Sequence, residues 1–317
     1  MGGQESRSRQ AVNFREVLFL VNPQAGGGRA GRIDWQRVCA SLDNPCRVVV
    51  SQSPEEALLC ASQFCRSGGK VLVVAGGDGS VHVVLPALVN SSAALALVPL
   101  GTSNVLAREL GYPLGRRAVS GCLQALRTGT LRRIDVGLLR GIPFVLMAST
   151  GFDAYVLPRV SEEMKRRWGV FAFIWTGLRE LRHYQPTRYR VVSEAGEQKV
   201  EAVLLVVSNT SRYGWFTRIA PSARCDDGEL DIVWFPADAG WRRKIWRVLW
   251  DVCLGKAERC PYLRFARAKS VHVEASSVQD VQCDGEPAGQ TPMDVRILHR
   301  ALQVIAASPP APLRNAV

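Results

Sequence analysis

The sequence lacks the segments that would carry the chain across a membrane. It has no uncharged apolar stretch of about 18 residues, which is the minimum for a membrane-spanning helix. Its first 13 residues, MGGQESRSRQAVN, are polar and contain no apolar run of the kind that a secretory signal peptide requires. We therefore expect a protein that does not span a membrane and that works in the cytoplasm.

The P-loop motif and the cysteine pairs of metal or redox sites are also missing. The chain contains no G-x-x-x-x-G-K-[ST] motif, which disfavours a P-loop protein, and no C-x-x-C pair. Its nine cysteines are scattered, many of them inside apolar runs, at positions 39, 46, 60, 65, 122, 225, 253, 260 and 283. This usage predicts a reducing compartment in which cysteine serves as a small apolar side chain.

Positive charge, by contrast, is in excess. Forty Lys and Arg residues against 28 Asp and Glu residues give a formal net charge of +12. An excess of this size favours an anionic partner, such as nucleotide phosphates, nucleic acid or an acidic membrane surface, although a merely basic surface is the alternative. No base-reading module is recognisable in the sequence, so we expect no nucleic-acid partner.

The first part of the chain alternates strand-like and helix-like segments. Short apolar runs at 16–21, 46–51, 70–75 and 93–99 are typical of buried strands, and Pro54 marks a good helix start. Such alternation predicts a parallel sheet covered by helices, because parallel strands need crossover connections. We assign residues 15–133 to this nucleotide-binding α/β domain.

The pattern changes from about residue 134, where strand-like pieces follow one another directly. They are DVGLL, IPFVLMAS, RYRVVS, KVEAVLLVVSN, ELDIVWF, SVHVEA, DVRIL and LQVIAA, with a helical insert at 161–183. These pieces predict a second, mostly antiparallel, β-rich domain over residues 134–298. A C-terminal strand and a loose tail would occupy 299–317, and that strand can return to the first domain.

Three glycine-bearing turns follow predicted strands of the α/β domain. They are NPQAGGGRAG (22–31), GGDGS (76–80) and PLGTSN (99–104). Glycine lets backbone N–H groups approach an anion, and the N-terminus of a following helix adds a favourable dipole. Each turn alone could be a tight strand–helix connection, but three at the carboxyl edge of one sheet predict a phosphate-binding crevice.

An ionisable residue, Asp78, stands between the glycines of the second turn. Phosphates repel a carboxylate unless a divalent cation or a substrate hydroxyl about to lose its proton lies between them. The alternative role is helix capping, in which Asp78 or Ser80 accepts exposed backbone N–H groups. Both roles can hold together.

Taken in order, these motifs resemble the diacylglycerol kinase and sphingosine kinase superfamily of lipid kinases. The first two motifs, GGDGS and PLGTSN, are followed by STGFDAYV (149–156), APSARCDDGELDIVWF (220–235) and CDGEPAG (283–289). The matches keep the family order over roughly residues 16–305. Phosphofructokinases and NAD kinases share Gly-Gly-Asp-Gly, so the resemblance depends on the ordered set.

The resemblance implies a complete kinase site. The metal site would be the Asp227 carboxylate with carbonyls near Arg224 and Glu229, a set of hard oxygen ligands that suits Mg²⁺. Asp153 would face the lipid substrate. The implied nucleotide contacts are Asn22, Ser51, Gly76, Gly77, Asp78, Gly79, Ser80, Gly101, Thr102 and Asn104.

The resemblance also implies a general base. Glu286 is the candidate, with Asp284 beside it and Asp78 as the alternative. From the sequence alone, Asp284-Gly285-Glu286 could equally be a hairpin turn. The chain departs from the family pattern at Val105, where an acidic residue is common, and at His82-Val83, where Asn-Glu is common. We also expect Pro86 to interrupt that helix.

Two stretches mix basic and aromatic residues, at 164–184 and at 241–250 (WRRKIWRVLW). Basic residues attract anionic headgroups and tryptophan prefers the membrane interface, so these stretches predict peripheral association with an anionic membrane. Ordinary amphipathic helices packed on the β-rich domain would show similar spacing.

The resemblance thus implies an ATP- and Mg²⁺-dependent kinase that phosphorylates a lipid hydroxyl, diacylglycerol-like or sphingoid- or ceramide-like. The lipid would enter between the two domains, with its chains in an apolar pocket of the β-rich domain. The alternatives are an NAD kinase, a phosphofructokinase-like kinase or a catalytically silent lipid-binding regulatory protein. A homodimer is left open.

Overall fold

The structure is a computed structural model that describes residues 16–161, 163–164, 168–214 and 217–307. The polar first 13 residues, residues 165–167 of the basic-aromatic stretch at 164–184, and the tail from residue 308 lie outside these ranges, so the expectations for them stay predictions. Across the described ranges, no helix combines the length and the apolar character that crossing a bilayer requires.

Four buried apolar runs form the parallel sheet of the α/β domain. They are β1 (Val17–Val21), β2 (Cys46–Val50), β3 (Val71–Gly76) and β4 (Ala94–Pro99), in the order β2-β1-β3-β4. All three pairings are parallel. Every residue of β1, β3 and β4 is buried, as expected for strands covered on both faces. The predicted α/β domain with a parallel sheet is confirmed.

Five helices connect and cover these strands: α1 (Trp35–Ala40), α2 (Pro54–Arg66), α3 (Asp78–Leu88), α4 (Val105–Glu109) and α5 (Ala118–Thr128). Helix α2 begins where the sequence predicts, because Ser53 accepts the N–H of Glu56 and Pro54 fits the first turn. The prediction that Pro86 interrupts its helix is wrong. Helix α3 runs through Pro86 to Leu88, and the N–H of Val89 still donates to the Leu85 carbonyl.

The β-rich domain is built from mostly antiparallel strands, as predicted. They are β5 (Thr130–Leu139), β6 (Ile142–Phe144), β7 (Met147–Gly151), β8 (Thr187–Ser193), β9 (Gly196–Ser208), β10 (Arg212–Tyr213), β11 (Thr217–Arg218), β12 (Leu230–Pro236), β13 (Arg264–Ala268), β14 (Ser270–Ala275), β15 (Asp280–Cys283), β16 (Glu286–Gln290) and β17 (Met293–Ala306). Among the described residues, the helices α6 (Phe152–Val156), α7 (Val170–Glu180) and α8 (Trp241–Cys253) accompany them.

One long strand, β17, joins the two domains. It pairs antiparallel with β5 and β14 of the β-rich domain, and its residues Gln303 and Val304 pair parallel with Ala94 and Leu95 of β4. The main path of the resulting sheet runs β16-β15-β7-β9-β8-β14-β17-β4-β3-β1-β2. The chain segment after residue 299 therefore completes the edge of the first sheet.

The cysteines do not all behave as isolated apolar side chains. Cys39, near the end of α1, forms a disulfide with Cys46, the first residue of β2, across a Cα–Cα distance of 5.6 Å. The sequence-based expectation of unpaired cysteines is wrong for this pair, because α1 packs back on β2 after a short turn. The other seven cysteines are free, and Cys122, Cys225, Cys260 and Cys283 among them are buried.

Candidate active site

The three glycine turns come together at the carboxyl edge of the parallel sheet. The N–H groups of Leu100 and Gly101 donate to the Gly76 carbonyl at 2.8 and 3.3 Å, which ties the third turn to the second. A Cβ built on Gly101 would lie 2.5 Å from the Cα of Gly77. Asn22 ties the first turn to the second, because its Nδ2 donates to Ser80 Oγ at 3.1 Å. The structure thus brings the predicted turns into one cluster.

Asn104 shapes the third turn. It adopts the left-handed conformation (φ +49°), its Oδ1 accepts the Gly101 N–H at 2.9 Å, and its Nδ2 donates to the Gly101 carbonyl at 2.7 Å. Thr102 beside it is exposed, and a Cβ on Gly169 would lie 3.2 Å from its Cγ2. Ser51 is different, because it is buried and its hydroxyl donates to the Val21 carbonyl at 3.3 Å. Asn104 and Ser51 therefore organise the turns, whereas Thr102 faces outward.

Asp78 caps a helix, although not its own. Its two carboxylate oxygens accept the N–H groups of Val105 at 2.9 Å and Leu106 at 3.2 Å, at the start of α4. Burial raises the pKa of Asp78, and these backbone donors offset part of that rise. The capping role predicted from the sequence is therefore present, and it links the second and third turns.

Asp284 anchors the hairpin between β15 and β16. Its buried carboxylate accepts the N–H groups of Val145, Leu146 and Met147 at 2.9, 2.8 and 3.0 Å. Asp284 and Gly285 both have positive φ angles, +51° and +89°, which fits a tight hairpin turn. The hairpin that the sequence allowed is thus present, held against the segment before β7.

Glu286 follows Asp284 and Gly285 in the same hairpin, and its side chain reaches the second glycine turn. A Cβ built on Gly79 would lie 3.3 Å from Glu286 Oε1, so the side chain of the β-rich domain touches the turn of the α/β domain. Glu286 is exposed, and within the described ranges its carboxylate has no hydrogen-bond or ion-pair partner. Among the three candidate bases, Glu286 is the one with free oxygens.

His82 is a site residue that the sequence reasoning recorded only as a departure from the family pattern. It lies one turn into α3, and its Nδ1 is 3.7 Å from Asp284 Oδ2. That nitrogen is buried and makes no hydrogen bond. The neighbouring Asp284 carboxylate raises the pKa of His82, with a smaller contribution from Glu286. The sequence contained one signal for His82 as a site residue: it lies four residues after Asp78, which places the two side chains one helical turn apart on the same face of α3.

Asp153 lies at the start of α6 in a polar network. It accepts hydrogen bonds from Ser149 Oγ at 2.5 Å and Tyr213 OH at 2.8 Å, and burial raises its pKa. Gln282 Nε2 lies 3.3 Å from the same carboxylate, while Gln282 Oε1 accepts the Gly285 N–H at 2.8 Å. Two of these residues were not predicted from the sequence: Gln282, which connects Asp153 to the hairpin that bears Glu286, and Tyr213, which donates to Asp153.

The segment predicted to hold a metal forms an acidic cluster around one arginine. Arg267 contacts the carboxylates of Asp227, Glu229 (2.7 Å) and Asp231 (3.5 Å), while Arg224 faces Asp226 instead. Three carboxylates against one guanidinium leave two negative charges, and Asp231 Oδ2 is buried without a hydrogen-bond partner. The described residues contain no group of three or more His, Cys, Asp or Glu side chains arranged for a metal ion.

A buried aspartate that the sequence reasoning missed fixes the turn of this cluster. Asp135 is fully buried on β5, where its carboxylate accepts the N–H groups of Gly228 at 2.7 Å and Arg300 at 2.6 Å. His299 Nδ1 lies 2.9 Å from the same carboxylate. The 224–229 turn is therefore held in place from β5 and β17, with Asp227 toward its outer side.

A surface cavity of about 460 Å³ lies elsewhere, on strands β8, β9 and β14. Its lining is largely charged and includes Arg188, Arg190, Lys199, Glu201 and Glu274, and none of the site residues above. This lining does not suit acyl chains, so the apolar lipid pocket expected in the β-rich domain stays a prediction.

Comparisons with known proteins agree with the two-domain arrangement. Residues 16–139 match the family described as the diacylglycerol kinase catalytic domain, and residues 147–306 match the YegS C-terminal NAD kinase beta sandwich-like domain. A crystal structure of a diacylglycerol kinase from Bacillus anthracis str. Sterne has the same fold, with a TM-score of 0.70 and 21% identity over 93% of this chain and 98% of that chain.

Two relatives are similar along most of their length. A protein of Pseudomonas aeruginosa (strain UCBPP-PA14) named "Probable lipid kinase YegS-like" is 33% identical, over 88% of this chain and 85% of its own. A protein of Mycobacterium tuberculosis (strain CDC 1551 / Oshkosh) named "Diacylglycerol kinase" is 30% identical, over 92% and 94%.

Proposed function

The chain belongs to the family of diacylglycerol kinase-like lipid kinases, and we propose that it transfers the terminal phosphoryl group of ATP, with Mg²⁺, to the hydroxyl of a lipid. One observation supports this proposal most directly. Glu286 of the β-rich domain lies against Gly79 of the α/β domain, so a candidate base and the glycine turns share one cleft. Phosphoryl transfer requires such positioning more than it requires covalent chemistry.

The glycine turns are proposed to hold the nucleotide. The second turn leads directly into α3, whose N-terminus offers backbone N–H groups and a positive dipole end to phosphate oxygens. Gly77 and Gly101 allow the second and third turns to pack without side chains between them. Thr102, which is exposed beside them, would add a hydroxyl to the phosphate contacts.

Glu286 is proposed as the general base. Asp78 and Asp284 have both carboxylate oxygens engaged by backbone N–H groups, so neither is free to accept a proton without losing a structural contact. Glu286 has no such partner in the described chain and reaches the turn where the terminal phosphate would lie. Its carboxylate would take the proton of the lipid hydroxyl as the oxygen attacks phosphorus.

The acidic turn is proposed to bind Mg²⁺. Asp227, with carbonyls of the 224–229 turn, would hold the ion, and the two excess negative charges of the cluster are the charge that a divalent cation offsets. When bound, the ion would supply positive charge near the acidic turn. Asp135 keeps the turn in shape through the Gly228 N–H, whichever cation is present.

The lipid hydroxyl is proposed to lie between Asp153 and Glu286. Gln282 donates to the Asp153 carboxylate and accepts the Gly285 N–H, so it ties Asp153 to the hairpin from which Glu286 extends. A hydroxyl donating to one of these two acids would be presented to the other. The name of the Mycobacterium tuberculosis relative, "Diacylglycerol kinase", favours diacylglycerol as the acceptor over a sphingoid base or ceramide.

A substrate panel tests this function. The purified protein is given labelled ATP and Mg²⁺ with diacylglycerol, a sphingoid base, ceramide, NAD or fructose 6-phosphate, beside the Glu286→Gln variant as control. We expect label in a lipid product, and little with the variant. Transfer to NAD or to the sugar phosphate would replace the proposal with the NAD kinase or phosphofructokinase alternative. No transfer to any acceptor would favour a silent lipid-binding protein.

A further inference from the structure

Helix α8 exposes an apolar surface that nothing in the described chain covers. Its inner face packs on the protein through Trp241, Ile245, Val248 and Val252, all buried. Its other side leaves Trp246, Leu249, Trp250 and Leu254 between 46% and 63% exposed. One exposed apolar side chain is normal, but four together form a patch that usually has a partner.

The spacing makes these four side chains continuous. Leu249 and Trp250 are three and four residues after Trp246, and Leu254 is four residues after Trp250, so all four fall along one side of the helix. We call these residues, Trp246, Leu249, Trp250 and Leu254, the outer face of α8. The inner face alone is enough to pack α8 on the protein. The apolar outer face is therefore additional surface that packing within the described chain does not explain.

The first turn of α8, beside the outer face, carries positive charges, although the N-terminus of a helix favours negative charge. Arg242, Arg243 and Lys244 occupy this turn, which contains no acidic residue. Arg242 donates to the Tyr184 carbonyl and Lys244 pairs with Asp238, but Arg243 has no ion-pair partner among the described residues. Residues 241–264 contain seven Lys or Arg against two Asp or Glu. The surroundings of the outer face therefore suit an anionic partner.

A second helix, α7, also exposes apolar side chains. Helix α7 leaves Phe171, Ile174, Trp175 and Leu178 between 44% and 62% exposed. Tyr184, shortly after α7, packs its ring edge-on against Trp241 with ring centroids 6.4 Å apart. Gly169, just before α7, lies against Thr102 of the third glycine turn. The start of α7 thus lies beside the third glycine turn.

We propose that the outer face of α8 docks on a lipid bilayer with anionic headgroups. Trp246 and Trp250 would sit at the depth of the headgroups, where tryptophan is favoured, and Arg243 would contact lipid phosphates. The proposal rests on the proposed function in one respect, since a kinase with a lipid acceptor must reach it within a bilayer. A second copy of this chain is the other occupant that the test must separate.

Sedimentation with vesicles tests the proposal without nucleotide, so the result does not depend on phosphoryl transfer. Phosphatidylcholine vesicles with and without 30% phosphatidylglycerol (about one lipid in three, enough for a negative surface potential) are compared for four proteins. These are the wild type, Trp246→Ser with Trp250→Ser, Arg243→Gln, and a control pair, Leu59→Ser with Val278→Ser. The control residues are 53% and 67% exposed but lie on other elements.

We expect the wild type to prefer anionic vesicles, and the tryptophan pair to weaken this binding by more than about tenfold because the buried apolar area is lost. Arg243→Gln should weaken binding to anionic vesicles by about fivefold, the equivalent of roughly 1 kcal/mol per basic residue. The control pair should bind like the wild type. Thermal melting confirms that each variant is folded.

Unchanged vesicle binding by the folded tryptophan pair would overturn the proposal. So would a wild-type dimer in analytical ultracentrifugation that the tryptophan pair converts to a monomer, because a second copy would then cover the outer face. If the protein binds anionic vesicles through α8 but phosphorylates no lipid, this inference stands and the proposed function fails.

Discussion

Gly77 and Gly101 meet backbone to backbone, where a Cβ on Gly101 would lie 2.5 Å from the Cα of Gly77 and 3.3 Å from its nitrogen. Both neighbours are main-chain atoms, which cannot move aside as a flexible side chain would. The second and third glycine turns therefore keep their spacing only while both positions lack a side chain.

We expect Gly101→Ala to separate these two turns and to lower both the melting temperature and the affinity for ATP. Gly177→Ala is the matched control, because its Cβ would meet nothing closer than 3.8 Å and the residue does not require a positive φ. Melting curves with and without MgATP measure both effects. Equal ATP-induced stabilisation in the two variants would contradict the expectation.

Glu286→Gln should lower turnover by about 10²–10⁴-fold, the usual range for loss of a general base, with little change in ATP affinity or melting temperature. Asp284→Asn should behave differently. That buried carboxylate accepts three backbone N–H groups, so the variant should lose about 1–3 kcal/mol of stability. Steady-state rates and melting curves for the pair separate the two roles. Turnover of Glu286→Gln within about threefold of the wild type would remove Glu286 as the base.

Asp78→Ala should abolish transfer and also destabilise the protein. Its carboxylate caps α4, and loss of a helix cap typically costs about 1 kcal/mol. Asp78→Asn keeps an acceptor and should recover part of the stability. Recovery of activity together with stability would make Asp78 a cap only, whereas stability without activity would place it near the phosphates.

His82 should make the stability of the protein depend on pH. Because Asp284 raises the pKa of His82 in the folded state above its ordinary value of about 6.5, the contribution of His82 to stability is fully present below about pH 6.5 and is lost as pH rises through the folded pKa. The carboxylates that face it are Asp284 and Glu286, with Asp78 near Asp284. The wild type should therefore exceed His82→Asn in melting temperature by more at pH 6 than at pH 8.5. An equal difference at both pH values would contradict this.

The α/β domain was predictable because its strands are short buried apolar runs, and all four were placed within one residue at each end. The strands of the β-rich domain were harder to predict from the sequence. Strand β13 and the hairpin strands β15 and β16 contain many polar residues, so their pairing decides the structure more than their composition does. The single strand β17 was read as two, because His299 and Arg300 interrupt its apolar pattern where the register shifts.

The sequence predicts that the glycine turns come together near Asp78, Asp284 and Glu286, but not what each of these carboxylates contacts. Asp78, Asp284 and Glu286 are equivalent carboxylates in a sequence. Their roles differ because Asp284 meets N–H groups 137 to 139 residues earlier in the chain, and Asp78 meets N–H groups 27 and 28 residues later. Such distant backbone donors leave no local pattern, and the same is true of the link that Gln282 makes to Asp153.

The pairing of β17 with β4 determines the order in which parts of the chain can fold during synthesis. During synthesis, the open edge of β4 has to wait for Gln303 and Val304, and the buried hydroxyl of Tyr112 has to wait for the Ile305 carbonyl that it meets at 2.6 Å. The half of the molecule that is made first can thus finish folding only after the other half has left the ribosome. The two halves therefore complete folding together. Until β17 is made, the unpaired edge of β4 is exposed and is the kind of surface that chaperones bind.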